Sequence, residues 1–168
     1  EWSKINKNSF CSLVPTQLTR ALVGHEEKII NNLKCLKLIL IGGSKIPLEL
    51  LSLAREYQLN LSPSYGMSEA CSTIAAIPPK DFLLGNDYAA TILPSFKLEV
   101  TQNIISIASK CTAKGYFSYN KLNQEPFTST FFKTSDLGEI TNDNKLIIKG
   151  RTDKIIISGG KNISPKEI

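Results

Sequence analysis

Leu36-Lys37-Leu38-Ile39-Leu40-Ile41-Gly42-Gly43 is an apolar run of buried-strand length that ends in a glycine pair. An amphipathic helical pattern follows from Pro47 to about Gln58, with enough apolar side chains to cover one face of a sheet. The order is strand, turn, helix and strand, and it leads directly to the polar stretch at residues 65–69. This part of the chain therefore predicts an α/β fold.

Shorter elements are predicted on both sides of this region. A strand over 10–14 and helices over 15–22 and about 26–33 come before it. A strand over 71–77 comes after it, followed by a loop from Pro78-Pro79 to about Thr91. Two β-hairpins are expected over 96–108 and 138–149. The sheet is therefore predicted to change from parallel to antiparallel near residue 96.

Composition narrows the class of protein. The chain has 168 residues, of which 42% are hydrophobic, enough for one sizeable core. No apolar run approaches the roughly 20 residues of a membrane span, and the first residues lack the pattern of a signal peptide. The four cysteines are widely spaced, which fits a reduced cytosol. The net charge is +5, but the lysines are scattered, so no nucleic-acid partner is expected. Nothing indicates an oligomeric state.

Three polar stretches are specific together although each is weak alone. They are Tyr65-Gly66-Met67-Ser68-Glu69, Lys133-Thr134-Ser135-Asp136-Leu137-Gly138 and Gly150-Arg151-Thr152-Asp153. The ionised Asp136 can accept two hydrogen bonds from adjacent hydroxyls such as a ribose diol. Arg151 offers forked donors that suit ribose or phosphate oxygens. This combination indicates a nucleotide site.

The same stretches resemble, in order, three core motifs of the adenylate-forming enzymes, which include acyl-CoA synthetases, luciferases and nonribosomal adenylation domains. The resemblance implies that residues 1–150 form the latter part of a large N-terminal adenylating domain. Mixed sheets with flanking helices and an antiparallel portion are expected there. A hinge and the start of a truncated C-terminal lid domain would follow over residues 151–168. The family's phosphate loop and catalytic lysine would lie outside the chain, which is expected to be a fragment that is inactive alone.

Within the family, the segments 12–18, 114–117 and 158–163 look most like o-succinylbenzoate-CoA ligases of menaquinone and phylloquinone biosynthesis. The implied activity is ATP-dependent ligation of a small carboxylate to CoA through an acyl-adenylate, with ATP, Mg²⁺ and CoA, in the cytoplasm. Another aryl- or fatty-acyl-CoA synthetase or adenylation domain is the alternative enzyme. A non-catalytic nucleotide-binding fragment is the alternative outside the enzymes.

The resemblance also assigns roles to single residues. Ser68 and Glu69 would be catalytic, Ser68 as a hydroxyl donor to the phosphate and Glu69 as the magnesium ligand. Asp153 would be the hinge, and Gly159 and Gly160 would line the CoA tunnel. Contacts to ATP or AMP are expected from Gly43, Ser44, Tyr65, Gly66, Ser68, Asp136 and Arg151.

Plainer interpretations exist for the same residues. Ser68-Glu69 could start a helix, and Gly42-Gly43-Ser44 could be a simple turn between a strand and a helix. Asp136 could be a turn aspartate, and Arg151 could form a surface pair with Asp153. Ser135 also replaces the family's usual glycine, which requires a backbone conformation that tolerates a Cβ atom.

Overall fold

The computed structural model describes residues 8–24, 27–118, 121–123, 127, 130–153, 156–158 and 161–163. Its helices are α1 (Pro15–Val23), α2 (Glu27–Lys34), α3 (Leu48–Glu56) and α4 (Pro79–Leu83). Its strands are β1 (Phe10–Leu13), β2 (Leu38–Ile41), β3 (Leu61–Met67), β4 (Ser72–Ala76), β5 (Ala89–Ile92), β6 (Lys97–Thr101), β7 (Ile104–Ala108), β8 (Tyr116–Ser118), β9 (Lys121–Asn123), β10 (Phe132–Ile140), β11 (Lys145–Arg151), β12 (Ile156–Ser158) and β13 (Lys161–Ile163). A search of these ranges finds no helix with the length and apolar character of a membrane span.

Nine strands form one mixed sheet in the order β1-β2-β3-β4-β5-β11-β10-β7-β6. β1, β2 and β3 are parallel, because helical connections carry the chain back between them. The other neighbouring strands in this sheet run antiparallel. The predicted α/β fold, with a mixed sheet, flanking helices and an antiparallel portion, is confirmed.

The place where the sheet changes direction differs from the prediction. The change occurs at the β3–β4 pair and not near residue 96. A single 3-10 turn over Ser68–Ala70 joins β3 to β4. So short a connection can link only antiparallel strands, whereas the parallel pairs on the other side of β3 require crossover helices. The predicted nucleotide motif therefore lies at the junction of the two halves.

The core of the parallel half follows the sequence pattern. Side chains of β2 alternate, and Ile39 and Ile41 are fully buried. Leu18 and Leu22 of α1 are also fully buried and belong to the same cluster. Full burial of a side chain of this size stabilises a fold by about 1.5–3 kcal/mol. The packed core of this half thus supports the turns that follow β2 and β3.

Two predictions for the antiparallel half need correction. The predicted loop over 78–91 contains α4 and β5, because Pro79 starts a short helix whose Phe82 is fully buried. The second hairpin is longer than predicted, since β10 begins at Phe132 and includes the whole of the second polar stretch. Burial alternates along β10, but two of its buried side chains, Thr134 and Asp136, are polar. Their polarity concealed the strand from a pattern based on hydrophobicity.

Candidate functional site

The end of β3 carries Tyr65 and Gly66 at an irregularity in the sheet, where the β3–β4 register shifts between these two residues. A Cβ atom at Gly66 would lie 1.9 Å from the carbonyl oxygen of Ser72 and 2.8 Å from the Cα of Thr73. Only glycine permits this approach, because backbone atoms of β4 occupy the space of a side chain. The structure thus gives Gly66 a packing role, while its predicted contact with a nucleotide stays a prediction.

Ser68 and Glu69 lie on the 3-10 turn that follows β3. The plainer interpretation, that this pair starts a helix, holds only for a single 3-10 turn, because the chain reverses after it. The reversal places Cys71 at φ 55° and Ser72 at φ 103°, both in a region that side chains disfavour. Such backbone conformations cost about 1–3 kcal/mol each and persist where the surrounding structure enforces them. They present an exposed Ser68 and a half-buried Glu69 beside the end of β3.

Glu69 is held by a distant loop. The hydroxyl of Tyr116 donates a hydrogen bond of 2.7 Å to Oε1 of Glu69. The backbone N–H of Ala113 donates one of 2.7 Å to the carbonyl oxygen of Glu69. Partial burial, together with the hydrogen bond and negative charge of Glu69, raises the pKa of Tyr116 to about 12. The phenol therefore remains a donor at neutral pH.

Asp136 is the charged centre of the site, with only 6% of its surface exposed. Its Oδ2 accepts a hydrogen bond of 2.7 Å from the Tyr65 hydroxyl, and its Oδ1 accepts one of 2.9 Å from Nη1 of Arg151. Asp136 and Arg151 are direct cross-strand partners on β10 and β11. Burial, and then the charge and hydrogen bond of Asp136, raise the pKa of Tyr65 above its usual range. The aspartate is in a strand, so its interpretation as a turn residue is wrong.

Thr134 supports Asp136 from two residues earlier in β10. Its hydroxyl donates a hydrogen bond of 2.8 Å to the carbonyl oxygen of Ile105 and accepts one of 3.0 Å from the N–H of Asp136. Ser135, between them, does not have a positive φ, so the backbone accommodates its Cβ atom. The carbonyl oxygen of Ser135 accepts a hydrogen bond of 2.8 Å from the N–H of Thr152. This hydrogen bond joins the second and third polar stretches beyond the pairing of Asp136 with Arg151.

Arg151 connects Asp136 to Asp153. Its Nε donates a hydrogen bond of 2.9 Å to Oδ1 of Asp153, and Nη2 contacts the other carboxylate oxygen. These hydrogen bonds, and the charges of the two aspartates, raise the pKa of Arg151 above the already high ordinary value of an arginine. The pairing with Asp153 considered from the sequence is therefore present, but Arg151 also binds Asp136. One guanidinium thus contacts both the expected ribose ligand and the expected hinge residue.

The contact between Tyr65 and Asp136 requires a strongly curled sheet. Three strands, β4, β5 and β11, separate β3 from β10. In a flat sheet, strands in these positions would be about 19 Å apart. The observed bond of 2.7 Å shows that the antiparallel part curls until the end of β3 meets β10. This curvature creates the site.

The glycine turn after β2 lies next to the same strand end. A Cβ atom at Gly42 would lie 2.6 Å from Oγ of Ser64, the residue before Tyr65. Gly43 has φ +84°, which a glycine adopts without strain. Gly43 is exposed and Ser44 is half-buried. The turn is thus a true strand-to-helix turn that also borders the candidate site.

Apart from Gly43, Ser44 and Gly66, which lie at the turns described above, the predicted site residues fall into three groups. Tyr65, Asp136, Arg151 and Asp153 form one hydrogen-bonded chain. Ser68 and Glu69 are adjacent to it, and the side chain of Ser68 forms no hydrogen bond within the described part of the chain. Gly159 and Gly160 lie outside the described residues.

Sequence reasoning assigned no role to Thr134 or Tyr116. Both are in segments that resemble family motifs, but neither contact is local. The partners of Thr134 include a carbonyl 29 residues away, and Tyr116 is 47 residues from Glu69. The resemblance of the segments 114–117 and 133–138 to family motifs was the available signal.

The donor set at Glu69 fits a magnesium ion that is shared with a nucleotide. Mg²⁺ prefers hard oxygen ligands and is usually held by one or two carboxylates, together with substrate phosphates and water. Glu69 supplies a half-exposed carboxylate on which one oxygen, Oε1, accepts from Tyr116. Within the described ranges no group of three or more metal-binding side chains occurs, so a complete protein cage is not present there. A single carboxylate suits the shared arrangement.

Comparison with known proteins identifies similar chains. No model of a known protein family matches. A 2-succinylbenzoate–CoA ligase of Bacillus licheniformis is 32% identical over 170 residues, which cover 95% of this chain and 35% of that protein. A double mutant of o-succinylbenzoate CoA synthetase from Bacillus subtilis, bound to the product analogue OSB-NCoA, has a TM-score of 0.78 and 29% identity, covering 96% of this chain and 34% of the other. The Bacillus subtilis enzyme in complex with ATP and magnesium has a TM-score of 0.70 and 29% identity, covering 95% of this chain and 35% of that chain.

The chain spans about a third of the length of the curated relatives that it matches. The similarity nevertheless covers nearly the whole of this chain, and sequence and structure select the same proteins. The resemblance inferred from the three motifs is therefore confirmed. In sequence and in fold, the chain is similar to the 2-succinylbenzoate–CoA ligases, of which it spans about a third.

Proposed function

We propose that the protein containing this chain is an ATP-dependent acid–thiol ligase that forms an acyl-adenylate and then an acyl-CoA. The proposed acid is o-succinylbenzoate, which places the enzyme in menaquinone or phylloquinone biosynthesis. The observation that carries the proposal is the hydrogen-bonded chain Tyr65–Asp136–Arg151, which joins all three sequence motifs where the curled sheet brings β3 to β10 and β11. The similar proteins from Bacillus species support the choice of acid, because their names specify it.

The nucleotide would bind around Asp136. An ionised carboxylate has about four acceptor positions, and Tyr65 and Arg151 use one on each oxygen. Two acceptor positions therefore remain for the adjacent hydroxyls of a ribose. The ring of Tyr65 offers a flat surface for adenine, and the turn at the exposed Gly43 and the half-buried Ser44 would border the base. Arg151 supplies permanent positive charge beside the ribose and phosphates.

Ser68 and Glu69 would act at the α-phosphate. In the first half-reaction the substrate carboxylate attacks this phosphorus and pyrophosphate leaves, so negative charge develops on the phosphate oxygens. The exposed hydroxyl of Ser68 can donate a hydrogen bond to such an oxygen. Glu69 would hold Mg²⁺, which supplies electrostatic stabilisation of the same charge when bound. In the second half-reaction the thiol of CoA attacks the acyl carbon and AMP leaves.

The domain division is part of the same proposal. Residues 1–150 would belong to the adenylating domain, and residues 151–168 would contain the hinge and the start of the lid. Asp153 would be the pivot, and Gly159 and Gly160 would line the tunnel for CoA. A cytoplasmic location and the absence of a nucleic-acid partner are proposed on the same grounds.

Carboxylate-dependent exchange of pyrophosphate into ATP tests the proposal on the complete gene product. Exchange is expected with o-succinylbenzoate and not with benzoate or a medium-chain fatty acid. Ser68→Ala and Glu69→Ala should lower the rate by about a hundredfold, as the loss of one stabilising group at a transition state does. Ser52→Ala and Glu49→Ala, the same changes at exposed positions of α3, should leave it unchanged. Exchange with another acid would refute the substrate, and no exchange with any acid would favour a non-catalytic nucleotide-binding protein.

A further inference from the structure

Glu69 is fixed from outside its own motif. The loop that follows β7 binds its backbone, through the N–H of Ala113, and the first residue of β8 binds its carboxylate, through the hydroxyl of Tyr116. These are two separate hydrogen bonds of 2.7 Å from residues more than forty positions away. A half-buried glutamate side chain on a short turn would otherwise sample many rotamers. The contact therefore restricts this side chain specifically.

The ring of Tyr116 is itself held in position. It packs edge-on against Phe127, with ring centroids 5.1 Å apart and an angle of 65° between the planes. Phe127 in turn stacks on Phe132, at 4.7 Å and 8°. Phe132 is buried at the start of β10, the strand that carries Asp136. This aromatic series links the position of Tyr116 to the strand that holds the other half of the site.

The hydroxyl of Tyr116 occupies only one oxygen of Glu69. Oε1 accepts the hydrogen bond, and no hydrogen bond from the described residues reaches Oε2. A carboxylate held at one oxygen keeps the second available for a hard cation, with its direction already set. Preorganisation of this kind lowers the conformational cost of binding.

We propose that Tyr116 is a positioning residue that orients Glu69 for the magnesium ion shared with the nucleotide. The inference rests on the role given to Glu69 under the proposed function. Tyr116→Phe keeps the ring, and with it the contact with Phe127, and removes only the hydroxyl. Loss of a hydrogen bond to a partly exposed carboxylate should weaken binding of the metal–nucleotide complex by about three- to tenfold.

The test uses the complete gene product and Mn²⁺ with α,β-methylene-ATP, a nucleotide that cannot transfer its adenylyl group because a methylene group replaces the oxygen between its α- and β-phosphates. Binding of the complex is followed by the electron paramagnetic resonance signal of Mn²⁺, and binding of AMP without metal is followed by calorimetry. Tyr116→Phe should weaken the first by about three- to tenfold and leave the second unchanged. Tyr88→Phe, the same change at an exposed tyrosine, should alter neither. In a double variant, Tyr116→Phe should cause no loss of affinity for the Mn²⁺–nucleotide complex beyond that caused by Glu69→Gln.

Three results would overturn the inference in different ways. Unchanged Mn²⁺ affinity in Tyr116→Phe, with weakened affinity in Glu69→Gln, would refute the positioning role alone. Equal weakening of Mn²⁺–nucleotide and AMP binding in Tyr116→Phe would show a general structural role. Unchanged affinity of Glu69→Gln for the Mn²⁺–nucleotide complex would refute the metal-binding role of Glu69 in the proposed function, and this inference with it.

Discussion

Replacement of Gly66 by alanine tests the close approach of β3 and β4. The added Cβ atom would lie 1.9 Å from the carbonyl oxygen of Ser72, 2.6 Å from its carbonyl carbon and 2.8 Å from the Cα of Thr73. All three are backbone atoms, so no side chain can rotate away. The carbonyl must move by about 1.5 Å to reach van der Waals separation. Ser72 already has φ 103°, so little freedom remains for this movement.

The expected cost is about 3 kcal/mol in the free energy of unfolding, the upper part of the range for overpacked sites. The displaced strand end carries Tyr65, so the hydroxyl that binds Asp136 moves as well. A misplacement of about 1 Å in a catalytic site can reduce the rate a hundredfold. Urea unfolding followed by circular dichroism measures the first effect, and pyrophosphate exchange measures the second.

Gly24→Ala is the matched control. Gly24 follows α1 with φ −66° and ψ −11°, and a Cβ atom there would lie at an ordinary 3.6 Å from the carbonyl oxygen of Arg20. This change should be neutral or should stabilise the protein by up to about 1 kcal/mol. A Gly66→Ala protein with wild-type stability and exchange rate would show that β3 and β4 do not approach so closely, and would refute the reasoning.

Two further predictions concern the hydrogen-bonded chain at Asp136. Asp136→Asn should raise the dissociation constant of AMP at least about tenfold, with a smaller change for 2′,3′-dideoxy-AMP, because the ribose hydroxyls lose a charged acceptor. Calorimetry with both nucleotides checks this, and equal changes would exclude Asp136 as the ribose ligand. Burial and the charge of Asp136 raise the pKa of Tyr65, so loss of its proton favours the unfolded chain. The difference in unfolding free energy between the wild type and Tyr65→Phe should therefore stay constant below about pH 10. Above that pH the wild type should lose up to about 1.4 kcal/mol per pH unit relative to the variant. Parallel pH curves for the two proteins would contradict the assignment.

Local signals in the sequence were sufficient for most elements of the fold. The apolar run before Gly42 predicted β2, and Pro15 and Pro47 marked the starts of α1 and α3. The turn at Gln102 and Asn103, both with positive φ, closes the β6–β7 hairpin as predicted. These features depend on residues a few positions apart, so their physical causes are visible in the sequence.

Other elements could not be predicted because their causes are not local. β10 contains the buried polar residues Thr134 and Asp136, which are acceptable in a core only with partners from distant segments. α4 depends on Phe82, which is buried beneath the guanidinium of Arg55, 4.6 Å from the ring centroid. The place where the sheet changes direction depends on the length of the Ser68–Ala70 turn, which no hydrophobic pattern encodes.

Motifs and local propensities are properties of short segments, so the amino-acid sequence was enough to predict the resemblance to adenylate-forming enzymes, the types of side chain at the site and the order of the main elements. Which of those side chains meet depends on the folded sheet. Tyr65 and Asp136 are 71 residues apart and are separated by three intervening strands in the sheet, and they touch because the sheet curls. Curvature arises from the combined twist of many strand pairs and from the irregularity at Gly66, so it belongs to no single stretch of the chain.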